Sequence, residues 1–527
     1  MIDLDFSRCR FPPFYYQRED IQAVVDHPYY FLALDMGVGK SKISIDAAYF
    51  LHDRGIIDKV LVIAPAMVRS VWQHPEYGEL QKHAWTDVPA TVTEFSSRKQ
   101  REWKHGPVGE PLQWVISNYE LLAMSKNRVL QLLAFCTPKT LLILDESSFV
   151  KSHNAERTKA CGQLRRACGR VVLLSGTPVS QSPLDLFSQA NLMHASVLDC
   201  KYVTHFKSRY AIQSPVIGYG GKPIIAYGRR VQQITGWANL DDLQARLKPF
   251  IVRRMKKDVL ADLPPKLDPV TLVATLTPET WKAYKSMRDD LVVWLTASTV
   301  STAAQAVTKV MRLQQITSGF IGGVEGSHID TTEHWDDLDT LPDDMVPEWV
   351  QVREIGREKL DLILSWIAAR IEEDPNFRLV LWCRFRLELQ RFVTELSKLP
   401  VNVGAISGGQ KPAEREAALR LLDPRTVPSG PVVVVGNPAS GGMGISLVAA
   451  NTVMYASNSH SVMQRLQSED RTARPGQTLP CSYFDVCAEG PAGQKTIDSA
   501  VLKAIREKND LASWTASAWV KALTEDS

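Results

Sequence analysis

The run YFLALDMGVGKSKIS (30–44) carries the clearest chemistry in this sequence. An apolar strand enters a glycine-rich turn, Gly37 to Gly39, and a helix opens at Lys40-Ser41. Such a turn aims successive backbone N–H groups at a phosphate chain, while its Lys reaches the β- and γ-phosphates and its hydroxyl holds a magnesium ion. The expected ligand is ATP with Mg2+. Position 34, where the full GxxxxGK[ST] pattern has its first glycine, is Leu, so an ordinary helix start is the competing reading of this segment alone.

Three further constellations bear on the same chemistry. LLILDESSFVKSHNAER (141–157) puts Asp145 and Glu146 at the carboxyl end of a buried strand, the edge where open parallel sheets bind ligands. There Asp145 can face the metal and Glu146 can orient or activate water. VVLLSGTPVSQSPLDLF (171–187) ends a strand in Ser175-Gly176-Thr177-Pro178, a hydroxyl-rich turn able to sense the γ-phosphate or merely to punctuate the chain. In the second half, ASGGMGISL (439–447) offers Gly442 and Gly444 for close backbone approach to a phosphate or a facing lobe. QSEDRTARPGQ (467–477) places Arg471 and Arg474 on one side of a helical turn, where they can stabilise transition-state charge or form a solvated basic pair.

These residues need a scaffold, and the apolar runs supply it. KVLVIA (59–64), WVIS (114–117), TLLIL (140–144) and RVVLL (170–174) alternate with helical segments. RLVLWC (378–383), VVVVG (432–436) and NTVMY (451–455) form a second set. Continuous apolar strands between helices indicate parallel sheets covered on both faces. The expected fold class is α/β, with two RecA-like lobes of the P-loop type and helical insertions. The expected division is a first lobe over 1–265 with a helical insertion near 184–250, and a helical connecting region over 266–355. A second lobe over 356–490 and a helical segment over 491–527 complete it. TPETWKAYKSMRDDLVVWL (277–295) and QAVTKVMRLQQI (305–316) have helical periodicity. The stretch 325–348 holds nine acidic residues and no Lys or Arg, and reads as an exposed loop.

Composition narrows the class. With 527 residues, 45% hydrophobic and 23% charged, the chain reads as a multidomain globular protein. No apolar run suits a transmembrane helix or a signal peptide, so no membrane partner is expected and the expected location is the cytoplasm, with the nucleus as the alternative. Eight scattered cysteines without a CxxC pair argue against a zinc site or disulfide framework. A net charge of +3 means that any polyanion site must be a local concentration of Lys and Arg.

Taken in order, YYQRED, DMGVGKS, IAPAMVRSVW, SNYELL, LDESS, LSGTP, SGGMGISL and QSEDRTARPGQ resemble a superfamily 2 helicase. FIVRRMKKDVLADLPPK (250–266), MRLQQI (311–316), the ARPGQ ending and KTIDSAVLKAI (495–505) narrow the resemblance to the Swi/Snf-type ATPases, which are double-stranded-DNA translocases. It covers nearly the whole chain, leaves little room for a targeting domain, and suits a bacterial or viral protein.

The resemblance implies that Gln17 reads adenine, Lys40 and Ser41 bind phosphates and magnesium, and Asp145 and Glu146 do the hydrolytic work. It further implies that Ser175, Thr177 and Gln467 couple the lobes, that Arg471 and Arg474 are arginine fingers, and that DNA lies across the lobes. Arg69, Arg253, Arg254, Lys256, Lys257 and Lys309 are the candidate contacts to DNA phosphates. Departures from the family pattern fall at Ser147-Ser148, where a hydroxyl must replace an imidazole, and at Ala439, Ser446 and His460; they put the strength of DNA contact in question. The expected function is an ATP-hydrolysing motor on duplex DNA, with a replication, repair or nuclease protein as a further partner. A strand-separating or annealing helicase and a nucleotide-gated adaptor are the alternatives.

Overall fold

The computed structural model describes residues 4–66, 68–74, 78–95, 101–105, 110–176, 182–216, 222–226, 229–260, 262–297, 303–322, 352–408, 410–438, 446–459 and 461–507. The acidic stretch 325–348, Thr177, Gly442, Gly444, Ala439 and His460 lie outside them, as does the side chain of Lys309. The chain divides into two units, 1–261 and 262–527.

The first unit is built on an eight-stranded sheet. In chain order its strands are β1 (Tyr29–Leu34), β2 (Lys59–Ala64), β3 (Ala90–Glu94), β4 (Arg101–His105), β5 (Leu112–Asn118), β6 (Thr140–Leu144) and β7 (Arg170–Leu174). After an insertion carrying β8 (Ala211–Pro215), β9 (Ile225–Ala226), β10 (Arg229–Arg230) and β11 (Gln232–Trp237), β12 (Ile251–Arg254) closes the set. The spatial order is β12-β1-β7-β6-β2-β5-β3-β4, parallel except for the β3–β4 pair. Phe31 to Leu34 and Leu141 to Leu144 are fully buried, which is why these strands are continuous apolar runs and not alternating ones. The order also fixes the chemistry: β1, β7 and β6 are neighbours, so the loops leaving their carboxyl ends must converge.

The second unit holds a six-stranded parallel sheet of β13 (Val270–Thr275), β16 (Arg378–Trp382), β17 (Asn402–Ile406), β18 (Val432–Gly436), β19 (Thr452–Tyr455) and β20 (Ser482–Glu489). Its order is β13-β20-β19-β16-β18-β17. Between β13 and β16 lies the small antiparallel pair β14 (Phe320–Gly322) and β15 (Val352–Glu354). Four consecutive valines of β18 are fully buried, each stabilising the fold by about 1.5–3 kcal/mol.

Two expectations about organisation change. The described residues between 266 and 355 belong to the second unit and are not all helical, since β13 pairs with β20 along its whole length. The helices Pro278–Ala297 and Ala303–Thr317 share an apolar core with Ile497–Arg506, through Trp281, Tyr284, Leu313, Ile497 and Val501. The region 184–250 is not wholly helical either. Helices Leu184–Met193, Val203–Tyr210 and Leu240–Leu247 flank an antiparallel ribbon of β8 and β11, whose half-exposed alternation gave no continuous apolar run to notice.

Candidate active site

The phosphate loop is shaped by its glycines. Gly37 and Gly39 have φ of 78° and 94°, in the left-handed region that side chains disfavour. A Cβ on Gly39 would lie 2.3 Å from the Gln17 amide nitrogen. Gln17 closes the loop from α1 (Tyr15–Asp26): its Oε1 accepts from Phe14 N–H at 3.0 Å, and its Nε2 donates to the Val38 carbonyl at 3.2 Å. The Tyr16 hydroxyl donates to the same carbonyl at 3.1 Å. Beyond Gly39 starts α2 (Lys40–Asp53), with no side-chain cap and no acidic residue in its first turn. An uncapped helix start under a left-handed glycine turn is an anion cradle, so the residues present fit a triphosphate. Lys40 Nζ donates to the carbonyls of Leu34 at 2.8 Å and Asp35 at 3.3 Å, folded back along the loop. Leu34, in place of the pattern's first glycine, is the buried last residue of β1 and leaves the turn intact.

At the end of β6, Asp145 is held from three sides. Its Oδ2 accepts from Trp72 Nε1 at 2.7 Å, its Oδ1 accepts from Glu146 N–H at 2.9 Å, and its carbonyl accepts from the Tyr119 hydroxyl at 2.8 Å. Burial and the neighbouring Glu146 push the Asp145 carboxyl up to about 6, against the opposing pull of the Trp72 N–H and the Lys40 ammonium. A divalent cation there would offset that penalty, and the Ser41 hydroxyl with the Asp145 carboxylate is an oxygen pair suited to magnesium. Glu146 has φ 48° and ψ 57°, a left-handed backbone that costs a non-glycine residue about 1–3 kcal/mol. No described residue hydrogen-bonds its carboxylate. Of the two hydroxyls that follow, Ser147 has a described partner: it donates to Gln189 Oε1 at 2.7 Å.

Ser175, just past β7, is fully buried beside β1, its N–H on the Leu32 carbonyl at 3.2 Å. A Cβ built on Gly176 would sit 3.8 Å from Lys40 Nζ, so this turn borders the phosphate loop directly.

Arg253 and Arg254, expected as DNA contacts, engage residues of the first unit. Both leave β12, which pairs with β1. Arg253 donates to the carbonyls of Ala33 at 2.9 Å and Gly176 at 3.2 Å, and pairs with Asp35 at 2.7 Å. Arg254 pairs with Asp20 at 2.8 Å and Glu19 at 2.7 Å on α1. These pairs brace the phosphate loop, the Ser175 turn and the Gln17 helix. Lys256 adds its backbone N–H to Asp35 Oδ2 at 3.0 Å. Arg69, in α3 (Arg69–Gln73), pairs with Glu94 at 3.1 Å, and Lys257 is exposed.

In the second unit Arg471 is buried and Arg474 half-buried, just past the helix Val462–Glu469 that carries Gln467. Gly476, with φ 103°, turns the chain so that Gln477 Nε2 latches onto the carbonyls of Val448, Ala450 and Thr472 at 3.2, 2.9 and 3.3 Å. Leu447 N–H donates to the Arg471 carbonyl at 2.9 Å, tying the end of the glycine cluster to the arginine loop. The helix itself is anchored by Arg465, whose guanidinium pairs with the fully buried Asp485, meets Asn458 and Glu469 at 2.8 Å each, and lies 3.6 Å over the Tyr455 ring.

A phosphate loop, a buried acidic pair and a hydroxyl turn on adjacent parallel strands define a P-loop nucleotide-binding unit, and the second parallel sheet makes the chain a two-lobe α/β protein of the RecA-like type. The chain belongs to the SNF2-related domain family, whose model matches residues 26–319. It is 25% identical over 468 residues to the "SWI/SNF-related matrix-associated actin-dependent regulator of chromatin subfamily A-like protein 1" of Xenopus tropicalis, covering 88% of this chain and 41% of that one. It is 27% identical over 237 residues to the "DNA annealing helicase and endonuclease ZRANB3" of Bos taurus, covering 45% of this chain and 20% of the relative. The chain thus spans well under two thirds of these curated relatives. The Sulfolobus solfataricus SWI2/SNF2 ATPase core in complex with double-stranded DNA aligns over 100% of both chains, with a TM-score of 0.41 and 18% identity.

Proposed function

We propose that the chain is an ATP-dependent motor that tracks along duplex DNA without sequence preference. The observation that supports this most is the convergence of Lys40, Asp145, Glu146 and Ser175 at the ends of β1, β6 and β7, with Glu146 held in a costly backbone conformation and its carboxylate unclaimed by the described residues. In this reading the loop N–H groups and Lys40 bind the phosphates, and Gln17 borders the adenine. Magnesium, held through Ser41 and Asp145, would neutralise phosphate charge. Glu146 orients the attacking water and takes its proton, while Ser175, Thr177 and Gln467 pass the loss of the γ-phosphate to the rest of the protein. Arg471 and Arg474 add positive charge as the phosphoryl group transfers, an effect worth about 10³–10⁵ in rate.

Glu146→Gln keeps the shape of the site and loses the base, so ATP binding should persist while turnover falls by about 10³-fold or more. Lys40→Ala should weaken ATP binding itself. Turnover by Glu146→Gln at the wild-type rate would remove Glu146 from the mechanism. The substrate is tested by ATPase rates with duplex, single-stranded, forked and RNA cofactors: duplex should stimulate most, and stimulation by RNA alone would reject the assignment. The similarity to a DNA annealing helicase supports a second reading, fork or strand annealing, which a strand-annealing assay with ATP distinguishes from translocation.

A further inference from the structure

The ribbon in the first unit lies in a stretch of one-sided charge. Residues 201–240 contain six basic residues, Lys201, Lys207, Arg209, Lys222, Arg229 and Arg230, and no Asp or Glu, in a protein whose 61 basic and 58 acidic residues otherwise nearly balance. Arg209 is committed to Asp242 at 3.2 Å at the base of the insertion. Lys201, Lys222 and Arg230 are exposed.

The insertion is rooted in the first unit. Phe206 and Tyr210 belong to the core of the first unit, with Trp237 packed against them, and the Tyr210 hydroxyl donates to Asp242 at 2.6 Å. From that base β8 and β11 run antiparallel, with a register shift between Ile234 and Gly236. Beyond them the backbones of Val216, Ile224 and Val231 close a ring of three hydrogen bonds of 2.8, 2.8 and 2.9 Å, and Arg230 pairs with Ile225. The surface so formed shows Gln213, Gln232, Gln233 and Thr235 to solvent, with Ile225 at 67% exposure and Ile212 at 51%.

An exposed ribbon needs charge to resist pairing with other edges, yet either sign would do that. The sign found here, Lys and Arg without a neighbouring carboxylate, is the one that suits a polyanion. Uncharged amides and hydroxyls interleaved with Lys and Arg are the groups that contact nucleic-acid backbones, where a carboxylate would be repelled.

We propose that this ribbon is a second duplex-DNA contact of the first unit, taking the phosphate backbone through Lys222 and Arg230. The proposal rests on the reading of the chain as a motor on duplex DNA. It assigns grip on DNA to an element apart from the ATP-binding loops.

The test is binding of a short labelled random-sequence duplex across a salt series, by wild type and Lys222→Ala/Arg230→Ala. The variant should bind at least ten-fold more weakly at low salt. Its slope of log K against log salt should flatten by about 1.8, since each phosphate no longer neutralised removes about 0.9. DNA-independent ATPase activity and thermal unfolding should match wild type, and Lys222→Arg/Arg230→Lys should restore binding. A wild type that binds no duplex would reject the motor reading and the proposal together. A wild type that binds, with a double variant of unchanged affinity and slope, would overturn the ribbon contact alone. Loss of binding to a labelled poly-glutamate peptide with duplex binding intact would also overturn it, in favour of an acidic protein partner.

Discussion

The two units hold their chemistry in place by different means. In the first, the reactive loops hang from the ends of adjacent strands and are braced from outside the core: Arg253, with a side chain 42% exposed, spans Ala33, Asp35 and Gly176. In the second, the arginine loop follows a helix pinned by an ion pair inside the core, where Asp485 is fully buried and Arg465 is 5% exposed. The Arg253–Asp35 brace is partly exposed and screened, so losing it displaces a loop without unfolding the unit, whereas the neighbouring Arg254–Asp20 pair has a buried carboxylate. Buried charges are costly to orphan, so the second device couples the position of Arg471 to the stability of the unit that carries it.

The largest expected effect is therefore in the second unit. Arg465→Met leaves the Asp485 carboxylate buried without its main partner and should destabilise that unit by about 3–5 kcal/mol. Amide exchange should accelerate along β19 and β20 and stay unchanged along β1 and β6. The double variant Arg465→Met/Asp485→Leu removes both charges and should recover much of the loss. Uniform acceleration in both sheets would mean that the two units do not differ as described. A smaller effect belongs to Gly39→Ala, which combines a left-handed backbone with a methyl 2.3 Å from Gln17. Strain of about 1–3 kcal/mol should distort the loop and weaken ATP binding more than it lowers the melting temperature. A melting-temperature loss as large as that of Arg465→Met would contradict the idea that first-unit loops yield locally.

Much of this was legible from residue types. The strand runs 59–64, 140–144, 170–174 and 432–436 coincide with β2, β6, β7 and β18, because strands buried on both faces leave unbroken apolar runs. The phosphate loop and acidic pair were legible because their residue types are dictated locally. Strands with a solvated face were not: β12 reads as IVRR, and β13 alternates exposed with half-buried or buried positions. Supporting residues were harder still. Trp72 and Tyr119 lie inside the motifs IAPAMVRSVW and SNYELL, yet their bonds to Asp145 join positions 73 and 26 residues apart. The partners of Arg253 were hidden for a related reason: they lie 218 and 220 residues away, just past and on the strand that β12 pairs with.

Arg253 also supplies the smallest and most discriminating prediction. Removing its guanidinium abolishes one surface ion pair and two hydrogen bonds to carbonyls that neighbouring backbone or water can satisfy, so Arg253→Ala should lower stability by about 1 kcal/mol or less. The same change frees Asp35 and Gly176 from each other, and those residues border the Lys40 ammonium on two sides. Misplacing that ammonium matters most when charge moves onto the γ-phosphate, so kcat should fall about ten-fold while ATP affinity changes little. Arg253→Lys keeps the charge toward Asp35 but cannot fork to two carbonyls as well, and should recover only part of the rate. If Arg253→Ala instead weakened duplex binding at every salt concentration with DNA-independent ATPase intact, Arg253 would be a DNA contact after all. The contrast between an externally braced first site and an internally pinned second one would then fail at its brace.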